Sequence, residues 1–394
     1  MMFHVKHHPR GGISRAPRTA KRRLALVTTA LAVSLLVVTG CTGQMTPPQG
    51  WAPPVATANG TLLVQSGTGR ITALNAAGER ITDFEVKGAT TTNIIGRTST
   101  SAPSPFYATP LVDGSAIYLA TYAGQVLRLN LENGTFTQAW RADLGEAVVA
   151  TPVLRGTRLY VSSENGHLLV LDTGTGKTVA SFQPTKGRVW GAPALQQNRI
   201  FIGTLDSSEL VAVNADSGAP EWKHSGSGAA AADIVVDGDV LLVPSFDRAL
   251  HALDIAGGTE KWRFTGDGWF VGKPLATQQA IYVATMRGSV YALDRAGKEL
   301  WHFRQQGLEF RAAPVLAGGT LVVADRDGTI LGLNPADGTQ KWTRTADKTT
   351  IDANGTLTDA GVYFVSTDHQ LLRVDPASGD IRTFNVQPPQ SDGK

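Results

Sequence analysis

Cysteine is all but absent from this chain: Cys41 is the single one in 394 residues. One thiol cannot form an intramolecular disulfide, so covalent cross-links play no part in the fold. Charged residues make up only 18% of the sequence. Acidic residues are missing from the first forty positions, where Lys6, Arg10, Arg15, Arg18, Lys21, Arg22 and Arg23 stand. No G-x-S-x-G, H-E-x-x-H or phosphate-loop pattern occurs, which removes the commonest signatures of hydrolases and nucleotide enzymes. The histidines beyond the leader, His167, His224, His251, His302 and His369, are scattered and show no metal-ligand spacing. Asp325-Arg-Asp-Gly328 could pass for a fragment of a calcium loop, but it falls where each repeat has a turn, and a plain turn is the expectation.

What the beginning of the chain does contain is a processing pattern. The basic stretch is followed by an uncharged apolar run over residues 24–38, short for a membrane span. Small residues then lead to Cys41, and the chain turns polar and Pro-rich. This order predicts a secretion signal over residues 1–40; a buried helix or short membrane anchor is the plainer alternative. With Cys41 directly after Thr39-Gly40, the segment resembles the lipobox of bacterial lipoproteins. That resemblance implies a diacylglycerol on the Cys41 thiol and a membrane-attached product, with residues 41–51 as linker. Without the leader the chain has 29 basic and 33 acidic residues, so the sequence pI near 8.9 belongs to the leader. A mildly acidic domain with no basic stripe is a poor nucleic-acid binder, and none is expected as a partner.

Glycine is abundant, at 43 residues, and it recurs with a period. The repeating unit is an apolar strand ending in Leu or Val, then Asn or Asp, then small residues with Gly, and often Trp. Clear copies end at Asp294, followed by Gly297 and Trp301, and at Asn334, followed by Gly338 and Trp342. The eight anchors are Asn75, Asn130, Asp172, Asn214, Asp254, Asp294, Asn334 and Asp375. All but the first interval lie between 40 and 42 residues, the length of one four-stranded propeller blade. The sixth unit reads as strands over residues 274–276, 280–284, 289–293 and 300–303, separated by Gly- and Asp-containing turns. Trp140, Trp222, Trp262, Trp301 and Trp342 share one place early in the fourth strand, with Phe84, Phe182 and Phe384 in the similar place of other units. A large aromatic repeated at one blade position packs between blades.

This unit resembles the PQQ-type propeller repeat, over residues 52–386. The repeat builds the quinoprotein dehydrogenases and also the BamB family of outer-membrane assembly lipoproteins. The resemblance implies an all-β, eight-bladed β-propeller with four-stranded PQQ-type blades, ending in a short tail over residues 387–394. It is not WD40-like, because no Trp-Asp dipeptide occurs. The dehydrogenases need a vicinal cysteine pair, calcium ligands and an Asp base, and no cysteine pair exists here. The expectation is therefore a non-catalytic scaffold with no cofactor. A dehydrogenase-like or small-molecule-sensing propeller is the alternative.

In a propeller, the turns between strands B and C share one end with the loops joining each blade to the next. Several joining loops carry large side chains just before strand A: Phe106, Tyr107, Arg188, Trp190, Trp269, Phe270, Phe310 and Arg311. The B–C turns add Arg248, Arg287 and Arg326. Together they predict a ring of aromatic and arginine side chains round one channel mouth, the types enriched at protein interfaces. The plainer reading is that these aromatics plug the channel or cover strand ends. The first interval, 55 residues, places a Thr- and Ser-rich insertion over residues 87–105 at the same end. The whole predicts a monomeric propeller, exported and lipid-anchored. Its site is the periplasmic face of an outer membrane or, without one, the outer face of the cytoplasmic membrane. Another envelope protein is its partner.

Overall fold

Eight four-stranded antiparallel sheets follow one another along the chain, each in the order A-B-C-D. A computed structural model describes residues 50–387 apart from 51, 89, 93–96, 227 and 231. The signal expected over residues 1–40, Cys41, most of the linker expected over 41–51 and residues 388–394 lie outside the described residues. The blades cover residues 55–85, 111–143, 153–182, 194–225, 235–265, 275–304, 315–345 and 356–385. In blade 6 the strands are Leu275–Ala276, Ile281–Ala284, Ser289–Leu293 and Glu299–Arg304. Strands B and C of that blade are buried throughout, as expected of sheets covered on both faces. The insertion between blades 1 and 2 forms a small hairpin, Thr90–Thr92 with Thr98–Thr100.

The tryptophans join one blade to the next by a single repeated device. Each indole N–H donates to a backbone carbonyl in the following blade's C–D turn. The pairs are Trp140 to Thr173 at 2.8 Å, Trp222 to Ile255 at 3.2 Å, and Trp262 to Arg295 at 3.1 Å. Trp301 to Pro335 at 3.0 Å and Trp342 to Pro376 at 3.1 Å complete the set. The ring lies flat on a turn glycine of that next blade. A Cβ on Gly338 would sit 2.5 Å from Cε3 of Trp301. No residue but glycine fits such an approach, and its φ of +73° suits glycine as well.

The phenylalanines do the same work from a different position. Phe182 and Phe384 stand two residues further along strand D than expected, at the register of Phe303 rather than of Trp301. They share a strand face with the tryptophan position, since side chains alternate, so they still reach Gly218 and Gly78 of the next blade. Phe84, also at this register, meets Phe136 of blade 2 edge-on. There the turn glycine, Gly134, faces Ile81 instead.

Phe384 on Gly78 closes the ring, joining blade 8 to blade 1. Both blades have all four strands, so closure uses side-chain docking and no shared strand. Arg80 adds hydrogen bonds to the Val386 and Gln387 carbonyls at 2.9 and 2.8 Å. Thr356 Oγ1 donates to the Pro54 carbonyl beside the channel.

Seven blades carry a register shift between strands C and D. Blade 8 pairs without one. In blades 1, 3 and 6 the skipped residue is Ile81, Val179 or Leu300, and each is exposed. An extra residue in one strand is pushed out of the ladder, which accounts for these outward apolar side chains.

Candidate functional site

The joining segments repeat a four-residue pattern that builds the channel. It runs Phe106-Tyr107-Ala108-Thr109 in blade 2, Val148-Val149-Ala150-Thr151 in blade 3, and Phe310-Arg311-Ala312-Ala313 in blade 7. In blade 8 it is Ile351-Asp352-Ala353-Asn354. The first residue is buried between blades, and the third must be small. A Cβ on Gly191, third in blade 4, would lie 2.2 Å from the Ala232 carbonyl of blade 5. The fourth residue faces the channel and ties blade to blade. The Thr109 amide donates to Thr151 Oγ1 at 2.9 Å, Ala192 to Asp233 Oδ1 at 2.9 Å, and Ala313 to Asn354 Oδ1 at 2.7 Å. Thr109, Asp233, Lys273 and Asn354 stand at a waist between two cavities. The one at the mouth has about 130 Å³ and the one beyond it about 540 Å³.

The second residue of the pattern faces the mouth. Phe270 and Phe310 occupy first positions and are 0% and 1% exposed. They were expected at the partner surface, and the structure removes them from it. Burying the first residue is what anchors each joining segment. Phe270 packs on Phe264 and Tyr291, with ring centroids 6.4 Å away in each case. Phe106 is buried for the same reason.

The remaining expected residues form three sectors. Across blades 2 to 4, Tyr107 meets Tyr122 edge-on at 5.5 Å. Burial, then the neighbouring Tyr122, raises the pKa of the Tyr107 hydroxyl. Glu164 accepts the Trp190 indole N–H at 3.2 Å and lies 3.9 Å from Arg188. Arg188 also pairs with Asp206 at 3.4 Å and sits 5.8 Å over the Trp190 ring. The Arg188 backbone amide holds the Asp206 carboxyl below its ordinary pKa, more than burial raises it.

Across blades 5 and 6, Trp269 is 48% exposed and meets Phe246 edge-on at 5.2 Å. Trp269, Gly268, Met286, Arg248 and Arg287 line a cleft of about 270 Å³. Across blades 7 and 8, Arg311 pairs with Glu309 at 2.6 Å and Asp352 at 3.3 Å. Arg326 lies 3.5 Å from the same Asp352 oxygen.

The B–C turns are built on a buried hydroxyl: Ser66, Thr121, Ser163, Thr204, Ser245, Thr285 and Ser366. In several blades it accepts an amide across the turn, as Thr204 does from Glu209 at 2.9 Å and Ser366 from Gln370 at 2.9 Å. Blade 7 has Asp325 there instead. Burial raises its pKa, although the Glu309 and Asp327 amides donate to it at 2.5 and 3.0 Å. Among the described residues no group of His, Cys, Asp and Glu is arranged to hold a metal ion.

The family described as Outer membrane protein assembly factor BamB matches residues 135–234 and 206–382 of this chain. The chain belongs to that family. Outer membrane protein assembly factor BamB of Burkholderia pseudomallei is 35% identical over 153 residues, 37% of this chain and 38% of that protein. The chain therefore matches less than half the length of that relative. The Xanthomonas campestris pv. campestris protein of the same description is 28% identical over 348 residues, 84% of this chain and 80% of its own. The crystal structure of BamB from Moraxella catarrhalis superposes with a TM-score of 0.66 at 20% identity, over 81% of this chain and 95% of that one. The PQQ-type repeat and the eight-bladed fold are those of the BamB family.

Within this family frame, residues beyond the expected ones complete the mouth. Tyr122, Glu164, Phe246 and Met286 all occupy the turn position directly after the buried hydroxyl. The signal for them was in the repeat, because Arg326 stands at that position too. His251, equally unexpected, lies inside blade 5 and not at the mouth: it is fully buried, with Glu260 at 2.7 Å and Asp247 at 3.0 Å.

Proposed function

We propose that this chain is a non-catalytic scaffold that holds another envelope protein against the mouth formed by its B–C turns and joining loops. The observation carrying this reading is the pair of half-exposed tryptophans, Trp190 and Trp269, set among arginines on a backbone fixed by the propeller. Aromatic and arginine anchors on a rigid platform give affinity with little ordering cost. The mouth residues in this reading are Tyr107, Arg188, Trp190, Arg248, Trp269, Arg287, Arg311 and Arg326. Residues 1–40 act as export signal and Cys41 carries the lipid. Residues 41–51 link it to the propeller of 52–386, and 387–394 form a tail. Family membership supports a role in assembling outer-membrane proteins where the envelope has an outer membrane. In a single-membrane envelope the same face serves a different partner.

The test is photo-crosslinking in cells, with the probe at Trp269 and a control at Leu300, an exposed position on the outer strand. Capture of one envelope protein from Trp269 alone, reproduced by co-purification, supports the scaffold. Equal capture from both positions, or from neither, refutes it. The cavity of about 540 Å³ favours one second reading, a small-molecule sensor that uses the channel. Saturable ligand binding by the purified propeller, without a protein captured at Trp269, would select that reading.

A further inference from the structure

Arg248 stands at an unfavourable backbone position. Its φ is +69°, in the turn between strands B and C of blade 5. In blades 1, 2, 3, 6 and 7 the same turn position is Gly69, Gly124, Gly166, Gly288 and Gly328, all with positive φ. A side chain there works against the fold, because Cβ crowds the following carbonyl. Nothing in the fold uses the guanidinium in return. Among the described residues Arg248 has no ion pair and no side-chain hydrogen bond, and the same holds for Arg287 beside it. The arginines elsewhere round the mouth differ. Arg188, Arg311 and Arg326 each have a carboxylate within ion-pair reach.

We propose that the cleft between Arg248 and Arg287, walled by Trp269, binds a partner segment bearing acidic residues beside an aromatic or aliphatic one. This rests on the reading of the mouth as a protein-binding face and names the chemistry it selects. Both side chains are guanidinium cations whose planar fork matches a carboxylate two-pronged. Trp269 and Met286 supply apolar walls, and the thioether adapts its shape to what it meets. The cleft is formed in advance. The Met286 amide donates to the Trp269 carbonyl at 3.1 Å, the Gly266 amide donates to the Arg248 carbonyl at 2.8 Å, and Phe246 braces the indole. A volume of about 270 Å³ suits side chains of an extended segment rather than a folded domain. Ser208 and His369 hold the same left-handed turn position in blades 4 and 8, so it is the strain together with an unpartnered guanidinium that points to function at Arg248.

The test uses the full chain and a fluorescein-labelled peptide in which Glu alternates with Phe or Leu, read by anisotropy. Saturable binding is expected, weakened by salt and absent for a counterpart with Lys in place of Glu. R248G and R287A should each weaken it about tenfold or more, the loss of one charge-assisted pair. R248G should also unfold at the same or a higher temperature than the wild type, because glycine relieves the turn. Unchanged peptide binding by a folded R248G overturns the proposal. So does Arg248-dependent binding to phosphatidylglycerol vesicles without peptide binding, which would make the cleft a lipid-headgroup site. Capture from Trp269 that survives R248G/R287A refutes the acidic segment but leaves the scaffold standing. Arg-dependent peptide binding without capture from Trp269 supports the cleft and refutes the scaffold.

Discussion

Replacing Gly338 by Ala measures how much the tryptophan docking contributes. Two effects add. The left-handed backbone costs a residue with a Cβ about 1–2 kcal/mol. The new methyl would lie 2.5 Å from Cε3 and 2.9 Å from Cδ2 of Trp301, so the ring must shift, and overpacking of this kind costs about 1–3 kcal/mol. The expected destabilisation is about 2–5 kcal/mol. Gly238 provides the control. Its φ is +65° and nothing lies within 4 Å of its would-be Cβ, so G238A meets only the backbone cost. Urea unfolding of both variants, followed by circular dichroism, should show G338A less stable than G238A by about 1–3 kcal/mol. In a W301A background the extra cost of G338A should vanish, since the two residues are coupled. If G338A and G238A agree within about 0.5 kcal/mol, the close approach of ring and turn does not matter to stability and the reasoning is wrong.

Burial keeps the His369 pKa below its ordinary value of 6.5, against the pull of Asp368. Below that value the unfolded chain takes up a proton that the buried ring resists, so stability is full at neutral pH and falls as pH drops. Urea midpoints at neutral pH and near pH 5 should therefore separate more for the wild type than for H369N. R80A removes the bonds to the Val386 and Gln387 carbonyls, and amide exchange in residues 381–386 should quicken while blades 4 and 5 stay protected. Trp269 is half exposed, so W269A should cost less than about 1 kcal/mol of stability in a melt yet abolish co-purification of the partner.

Much of this fold was legible because a blade is written eight times. Anchors such as Asp294 and Asn334 fix the end of strand C, and the glycine and tryptophan after them fix the next turn and strand. The place of Phe182 and Phe384 was not legible. Either of two positions on the same strand face reaches the neighbouring turn, and only the register separates them. The mouth was half legible. Tyr107 and Trp190 sit at a position that faces out, whereas Phe270 and Phe310 are one residue earlier, where the chain turns inward. An unbroken aromatic pair such as Trp269-Phe270 hides that alternation. The small residue two places on, such as Ala312 after Phe310, was the marker of the inward position. His251 left no trace, since its carboxylate partners Asp247 and Glu260 lie on a turn and on a different strand.

The register shifts at the rim bear on how copies of this protein tolerate crowding. Strand D is the outermost strand of each blade, and its far side presents amide and carbonyl groups with no strand beside them. A flat row of such groups invites a second molecule to add its own strand. In seven blades the expelled residue bends the row and increases its twist, so a straight neighbour cannot follow it. Blade 8 has no such bend, and Ile381–Asn385 keeps an even ladder at the rim. Edge-to-edge association between molecules is thereby confined to one blade of eight, the same blade that seals the ring.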